Sequence, residues 1–295
     1  MMLFNRQKVM LTLLQEATRT VGRIELMKWA FLLRNDMPSE GGTSFYGFVP
    51  YHYGPFSFCL QREMIKLAEM GFVRMPDDIS WGFADGTDIS KLVPLESDIL
   101  HDIRRIVERF APQKTTDTVM KYVYERFPEY TIFSKRRRLA SRPEASIAIY
   151  TVGYEGLSAD EFLNMLVHSG IRRLIDVRKN PVARRYGFHK SSLSRLCGDL
   201  KIEYVHIAEL GIASSLRRNL NTHSDRERLF KHYEVTTLVT EKTAIERVAT
   251  MMQNCPSALV CMEAEPCYCH RSRLAKVVSE RTALPIKHLK VGSIL

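Results

Sequence analysis

The chain has 295 residues, 45% hydrophobic and 26% charged, with a formal net charge of +10. That is about two domains at roughly 150 residues each, and the composition excludes a disordered chain, a fibre and a low-complexity protein. No run reaches the roughly 18 apolar residues of a membrane span, Arg6, Gln7 and Lys8 interrupt any signal-like start, and six cysteines are too sparse for a disulfide framework, so a cytoplasmic protein with reduced thiols is expected.

In the N-terminal half, Val9, Leu11, Leu13 and Leu14 set a first helical period, and Gly22 punctuates it. Ile24, Leu26, Met27, Ala30, Phe31 and Leu33 set a second, ending near Arg34-Asn35-Asp36. Ser39 to Ser44 reads as a loop. Tyr53-Gly54-Pro55-Phe56 reads as a turn opening a third helix through Leu60, Met64, Leu67 and Met70, closed by Gly71. Phe72-Val73-Arg74 and Ile79 to Phe83 read as two short strands. Helix, helix, helix, hairpin is the order of a winged helix. Two more helices, Ser97 to Phe110 and Thr115 to Phe127, follow.

Tyr53-Gly54-Pro55-Phe56 before Glu69-Met70-Gly71-Phe72, and Tyr122-Val123-Tyr124 running into Phe127-Pro128-Glu129-Tyr130, carry a resemblance. Residues 5–133 resemble the helical domain of the SocA-like antitoxins and Panacea proteins. The resemblance implies binding of a protein or nucleic acid, not catalysis. The expected domains are 1–133, a basic linker at 134–146, and 147–295. In the linker, Lys135, Arg136, Arg137 and Arg138 are either a solvated tether or an arm tracking phosphates.

The C-terminal half alternates apolar runs with helical patterns. Strands are expected at Ile147–Val152, Leu174–Val177, Tyr204–Ile207, Ala258–Met262 and Ile286–Val291. Helices are expected after Ser158, with Glu161 completing a capping box, and at Lys190–Leu200, Asp225–Met252 (one or two) and His270–Arg281. This order predicts an α/β fold with a Rossmann-like parallel sheet covered on both faces. Residues 1–146 hold 21 basic and 18 acidic residues, and residues 147–295 hold 22 and 15. The excess positive charge points to a phosphate-bearing partner for this half.

Ionisable residues gather at the predicted strand ends. Gly153-Tyr154-Glu155-Gly156 follows the first, Asp176 and Arg178 end the second, and His206 and Glu209-Leu210-Gly211 close the third. Cys261 and Glu263 close the fourth, with Cys269-His270-Arg271 opening the next helix. In a parallel sheet these points share one edge, where open α/β sheets bind ligands. Asp176 and Arg178 are either a structural ion pair or an anion clamp in which Asp176 orients the substrate or acts as base. His189 reads as a solvated loop residue. At a helix N-terminus Cys269 reads as a low-pKa nucleophile, as part of an anion pocket with Arg271, or as a buried packing residue. Metal binding is a further reading, because three cysteines and one histidine are available, but the spacing of Cys261, Cys267 and Cys269 is not that of a zinc knuckle, and no metal or cofactor is the expectation.

Thr151 to Gly156, Asp176-Val177-Arg178 with Pro181, Tyr204 with Glu209-Leu210-Gly211, Cys261-x-Glu263 with Pro266, and Cys269-His270-Arg271 occur in order. Over residues 148–290 they resemble the family catalogued as domain of unknown function 488. The resemblance implies a Rossmann-like sheet with its motifs at one edge, and no settled activity. The residues themselves suggest a DNA-acting enzyme. The candidate catalytic groups are Glu155, Asp176, Glu263 and Cys269. Substrate contacts would come from Gly153, Tyr154, Arg178, His206, Cys261, His270 and Arg271. Converging carboxylates suit glycosylase-like removal of a base. The alternatives are a nucleotide-sensing regulator without catalysis, binding DNA or a protein, and a hydrolase or transferase working through Cys269.

Overall fold

The chain folds as two units, Met1–Ser141 and Arg142–Leu295, in a computed structural model that describes residues 3–84, 95–113, 116–217 and 222–290. The first unit runs α1 (Asn5–Ala17), β1 (Val21–Gly22), α2 (Arg23–Asn35), β2 (Val49–Tyr51), β3 (Gly54–Phe56) and α3 (Phe58–Glu69). It continues with β4 (Val73–Arg74), β5 (Ser80–Phe83), α4 (Ser97–Phe110) and α5 (Thr116–Arg126). In α4, Ile99, Ile103, Ile106 and Phe110 recur at three- and four-residue intervals and are all buried. They pack in one core with Phe31, Trp29 and Trp81.

β1, β5 and β4 form an antiparallel sheet in that order, with Val21 opposite Trp81 and Val73 opposite Phe83. Three helices with this sheet give the winged-helix-like arrangement. Two details differ from the sequence reading. β1 is too short to show a period. The supposed turn at Tyr53–Phe56 supplies β3, which pairs with β2 as a hairpin. Gly54 has φ +85°, and a Cβ there would lie 2.8 Å from the Tyr124 ring.

The start of the basic stretch is bonded into this unit. The Lys135 amide donates to the His52 carbonyl, those of Arg136 and Arg137 to Ser134 Oγ, and that of Leu139 to Thr131 Oγ1.

The second unit runs β6 (Ile149–Gly153), α6 (Ala159–His168), β7 (Arg173–Asp176), α7 (Lys190–Asp199), β8 (Glu203–His206) and α8 (His223–Val235). Then follow α9 (Thr237–Thr240), α10 (Lys242–Asn254), β9 (Ser257–Cys261), α11 (Arg271–Thr282) and β10 (Ile286–His288). The capping box forms, with Ser158 Oγ accepting from the Glu161 amide and Glu161 Oε2 from the Ser158 amide. The five strands are parallel, in the order β10-β6-β9-β7-β8. β6 and β9 are buried along their whole length, as a sheet covered on both faces requires. Thr115 and Val291, placed in elements by the sequence, lie outside the described residues. Among the described residues no helix is long and apolar enough to cross a membrane.

Candidate functional site

The parallel register delivers the expected residues to one edge. Gly153 pairs with Cys261, and Asp176 with both Val260 and His206. Beyond that edge the chain after β9 folds back over β6. The Tyr154 and Glu155 amides donate to the Met262 carbonyl, and Glu155 Oε2 accepts from the Ala264 amide at 3.0 Å. A Cβ at Gly153 would lie 1.9 Å from the Glu263 carbonyl oxygen, so only glycine permits this approach. Buried Arg271 grips the same loop, donating to the carbonyls of Glu263 (2.5 Å) and Ala264 (2.8 Å).

Asp176 and Arg178 form a separate, internally satisfied centre. Arg178 Nε and Nη2 donate to both Asp176 oxygens, the shorter bond at 2.5 Å, and Nη1 donates to Tyr154 Oη and the Phe188 carbonyl. Asp176 also accepts from Tyr204 Oη at 2.6 Å. Tyr154 stacks on Phe188 with ring centroids 4.2 Å apart. Burial works against the Arg178 charge, but the bonds to Asp176 prevail and hold its pKa above the ordinary value. His206 Nε2 lies 2.8 Å from the Arg178 carbonyl, and the Lys190 ammonium sits at its Nδ1. All the Arg178 donors are directed inward, at Asp176, Tyr154 and Phe188, an arrangement that suits the ion-pair alternative.

The second centre lies in a cleft of about 330 Å³ lined by Glu155, Arg217, Arg226, Glu263, Tyr268, Cys269 and His270, among others. Glu155 is exposed and Glu263 half-buried. Arg217 Nη1 stands 3.7 Å from Glu263 Oε1, and Arg226 lies over the Tyr268 ring. The Cys261 thiol donates to Glu263 Oε2 at 3.1 Å. Burial, reinforced by the neighbouring Cys261 sulfur, pushes the Glu263 carboxyl above its usual range.

The two thiols at this end of the sheet differ in their surroundings. Cys269, open to the nucleophile, anion-pocket and packing readings, is buried before α11, and burial pushes its thiol well up. The thiol held low is Cys261, through the hydrogen bond from Cys269 and the adjacent His270. A helix terminus cannot stabilise a thiolate that its surroundings leave unsolvated.

Three cleft residues were missed by the sequence reading: Arg217, Arg226 and Tyr268. None stands in a recognisable motif. The only signal was a density of arginines near the start of α8. Lys135, Arg137 and Arg138 are exposed in the other unit, and Arg136 is paired with Asp117 at 2.5 Å.

No curated protein and no solved structure matches the chain. Glu263, Cys269, His270 and Arg271 all fall within residues 158–278, the stretch of the C-terminal unit that matches the family described as Domain of unknown function DUF488.

Proposed function

We propose that the C-terminal unit is an enzyme acting on nucleic acid, with removal of a base from its sugar as the reaction, and that the N-terminal unit supplies affinity for the polymer. The observation that carries this reading is the make-up of the cleft. Two carboxylates, Glu155 and Glu263, share it with two arginines and an exposed tyrosine. Arg217 and Arg226 suit the phosphates on either side of an extruded nucleotide. Tyr268 offers a face for a base to stack on. Breaking an N-glycosidic bond develops positive charge on the sugar, which a fixed carboxylate stabilises while a second activates water. Glu263 is the better fixed of the two, because Arg271 clamps its loop and Gly153 lets that loop close. The net charge and the exposed run around Arg137 suit a polyanion. The resemblance of residues 5–133 to SocA-like antitoxins and Panacea proteins suits a binding half, and six free thiols suit the cytoplasm.

A nucleotide sensor without catalysis would need arginines such as Arg217 and Arg226 but no carboxylates, so Glu155 and Glu263 in the same cleft favour the enzyme. The test is incubation of the full chain with modified and unmodified DNA and RNA, reading released base and alkali-labile sites. Glu263→Gln should lower turnover by about 100-fold or more with little loss of polymer affinity. Absence of base release from every substrate, or full turnover in both Glu155→Gln and Glu263→Gln, would overturn the proposal.

A further inference from the structure

Two buried thiols and an imidazole remain without a role in that reaction. Cys261 ends β9, and Cys269 and His270 stand immediately before α11. Each is at most 1% exposed. Both sulfurs lie 3.8 Å from His270 Nδ1, and the three atoms are within 4.8 Å of one another. With metal–sulfur bonds of about 2.3 Å and a metal–nitrogen bond of about 2.0 Å, tetrahedral coordination sets sulfur and nitrogen roughly 3.5 Å apart. The observed spacing is within a few tenths of an ångström of that.

The imidazole is oriented by its other nitrogen. Nε2 lies 3.1 Å from the Val177 carbonyl oxygen. A carbonyl only accepts, so Nε2 carries the hydrogen and the Nδ1 lone pair faces the two sulfurs. Metal-bound imidazoles are commonly supported in this way. The charges close as well. Two thiolates and the Glu263 carboxylate balance a divalent cation and the Arg217 guanidinium, which reaches to 3.5 Å from Nδ1 and 3.7 Å from Glu263. Two thiolates with one imidazole are a borderline-soft donor set, suited to zinc rather than to magnesium or calcium.

We infer that Cys261, Cys269 and His270 bind one divalent zinc-class ion, with its fourth coordination position facing Glu263 and the cleft. Three protein ligands and an open position are the pattern of catalytic rather than structural zinc. A water there would be acidified by the ion, with the Glu263 carboxylate beside it to take the proton. The sequence spacing hides the site because Cys261 is joined to the other two ligands only by the fold-back of residues 262–268. The inference stands on the ligand geometry and does not depend on the nucleic-acid reading.

The test uses the full chain, reduced, stripped with a chelator and titrated with cobalt(II). One equivalent should produce the visible bands of a tetrahedral thiolate site, and zinc should displace it. Cys261→Ser, Cys269→Ser and His270→Gln should each abolish the bands, while Cys267→Ser and Glu263→Gln keep them. A second measurement needs no variant: zinc should shield two thiols of the natural chain from a thiol reagent. A natural chain that takes up no stoichiometric cobalt and gains no thiol protection from zinc overturns the inference. So does retention of the bands in Cys261→Ser or their loss in Cys267→Ser. Loss in Glu263→Gln would overturn the open fourth position.

Discussion

Replacing Lys28 by Met should stabilise the N-terminal unit at neutral pH, and the advantage should vanish in alkali. Lys28 lies in α2, 2% exposed, with its ammonium donating to the Pro55 carbonyl at 2.7 Å. Burial pulls its pKa down to about 7. In the unfolded chain a lysine titrates near 10.4, a difference of roughly 3.5 units. The unfolded state therefore binds a proton between about pH 7 and pH 10.4 that the folded state does not. The natural chain gains stability as pH rises through that window, by about 1.4 kcal/mol per unit and about 5 kcal/mol in all. Below pH 7 both states are protonated and the full penalty applies. Methionine keeps the side chain's length without the charge, and losing the bond to Pro55 costs about 1 kcal/mol. The variant should thus be about 4 kcal/mol more stable at pH 6, lose that lead steadily above pH 7, and fall behind near pH 10. The chain's 2 tryptophans, Trp29 and Trp81, are both buried in this unit. Urea unfolding followed by tryptophan fluorescence therefore reads it within the intact chain. A stability difference that does not change with pH, or a variant less stable at pH 6, would refute the argument.

Three further outcomes are expected. Asp176→Asn should destabilise the C-terminal unit by about 3–5 kcal/mol, because it leaves the Arg178 charge buried without its partner; thermal unfolding by circular dichroism checks this, and a change below about 1 kcal/mol would mean the pair is dispensable. Gly153→Ala should force the Glu263 loop off β6 at a cost of about 1–3 kcal/mol and remove the zinc protection of the thiols, whereas unchanged protection would show that the loop can yield. On the nucleic-acid reading, replacing Arg136, Arg137 and Arg138 together should lower the salt dependence of binding by up to about three units, with Arg136 contributing least because Asp117 holds it; an unchanged slope removes the run from the interface.

What the sequence disclosed and what it hid divide along physical lines. The isoleucines of α4 and the Ser158–Glu161 box are local signals, and both elements formed where their spacing put them. The alternation of strands and helices made a parallel sheet legible, together with the edge where its strand ends gather. Strand order was not legible, since no local pattern tells β9 to enter between β6 and β7. The environment of Asp176 and Arg178 was equally hidden. Their spacing suits a clamp as well as a structural pair, and the contacts with Tyr204 and the Phe188 carbonyl are brought in only by the fold. For Cys269 the helix position was readable and burial stood among the open readings, with only the fold able to place the thiol beside Cys261 and His270. Arg217, Arg226 and Tyr268 belong to no motif and become cleft residues only by tertiary placement.

The strand order also governs how the C-terminal unit can come into being on the ribosome. β6, the first strand made, has only β9 and β10 as neighbours, and these are the last two made. β7 and β8 can pair early with α7 between them, a compact nucleus of local contacts. Until β9 is made, β6 waits with neither of its sheet neighbours and with both its edges unpaired, the condition in which nascent strands recruit chaperones or each other. Entry of β9 ends the wait, and the same event sets Cys261 beside Gly153 and swings Glu263 over it. The unit therefore passes through no half-folded stage with the cleft assembled. Assembly of the sheet and assembly of the cleft are one step, so a chain stalled or cut before β9 would carry the hazards of an open sheet without the cleft.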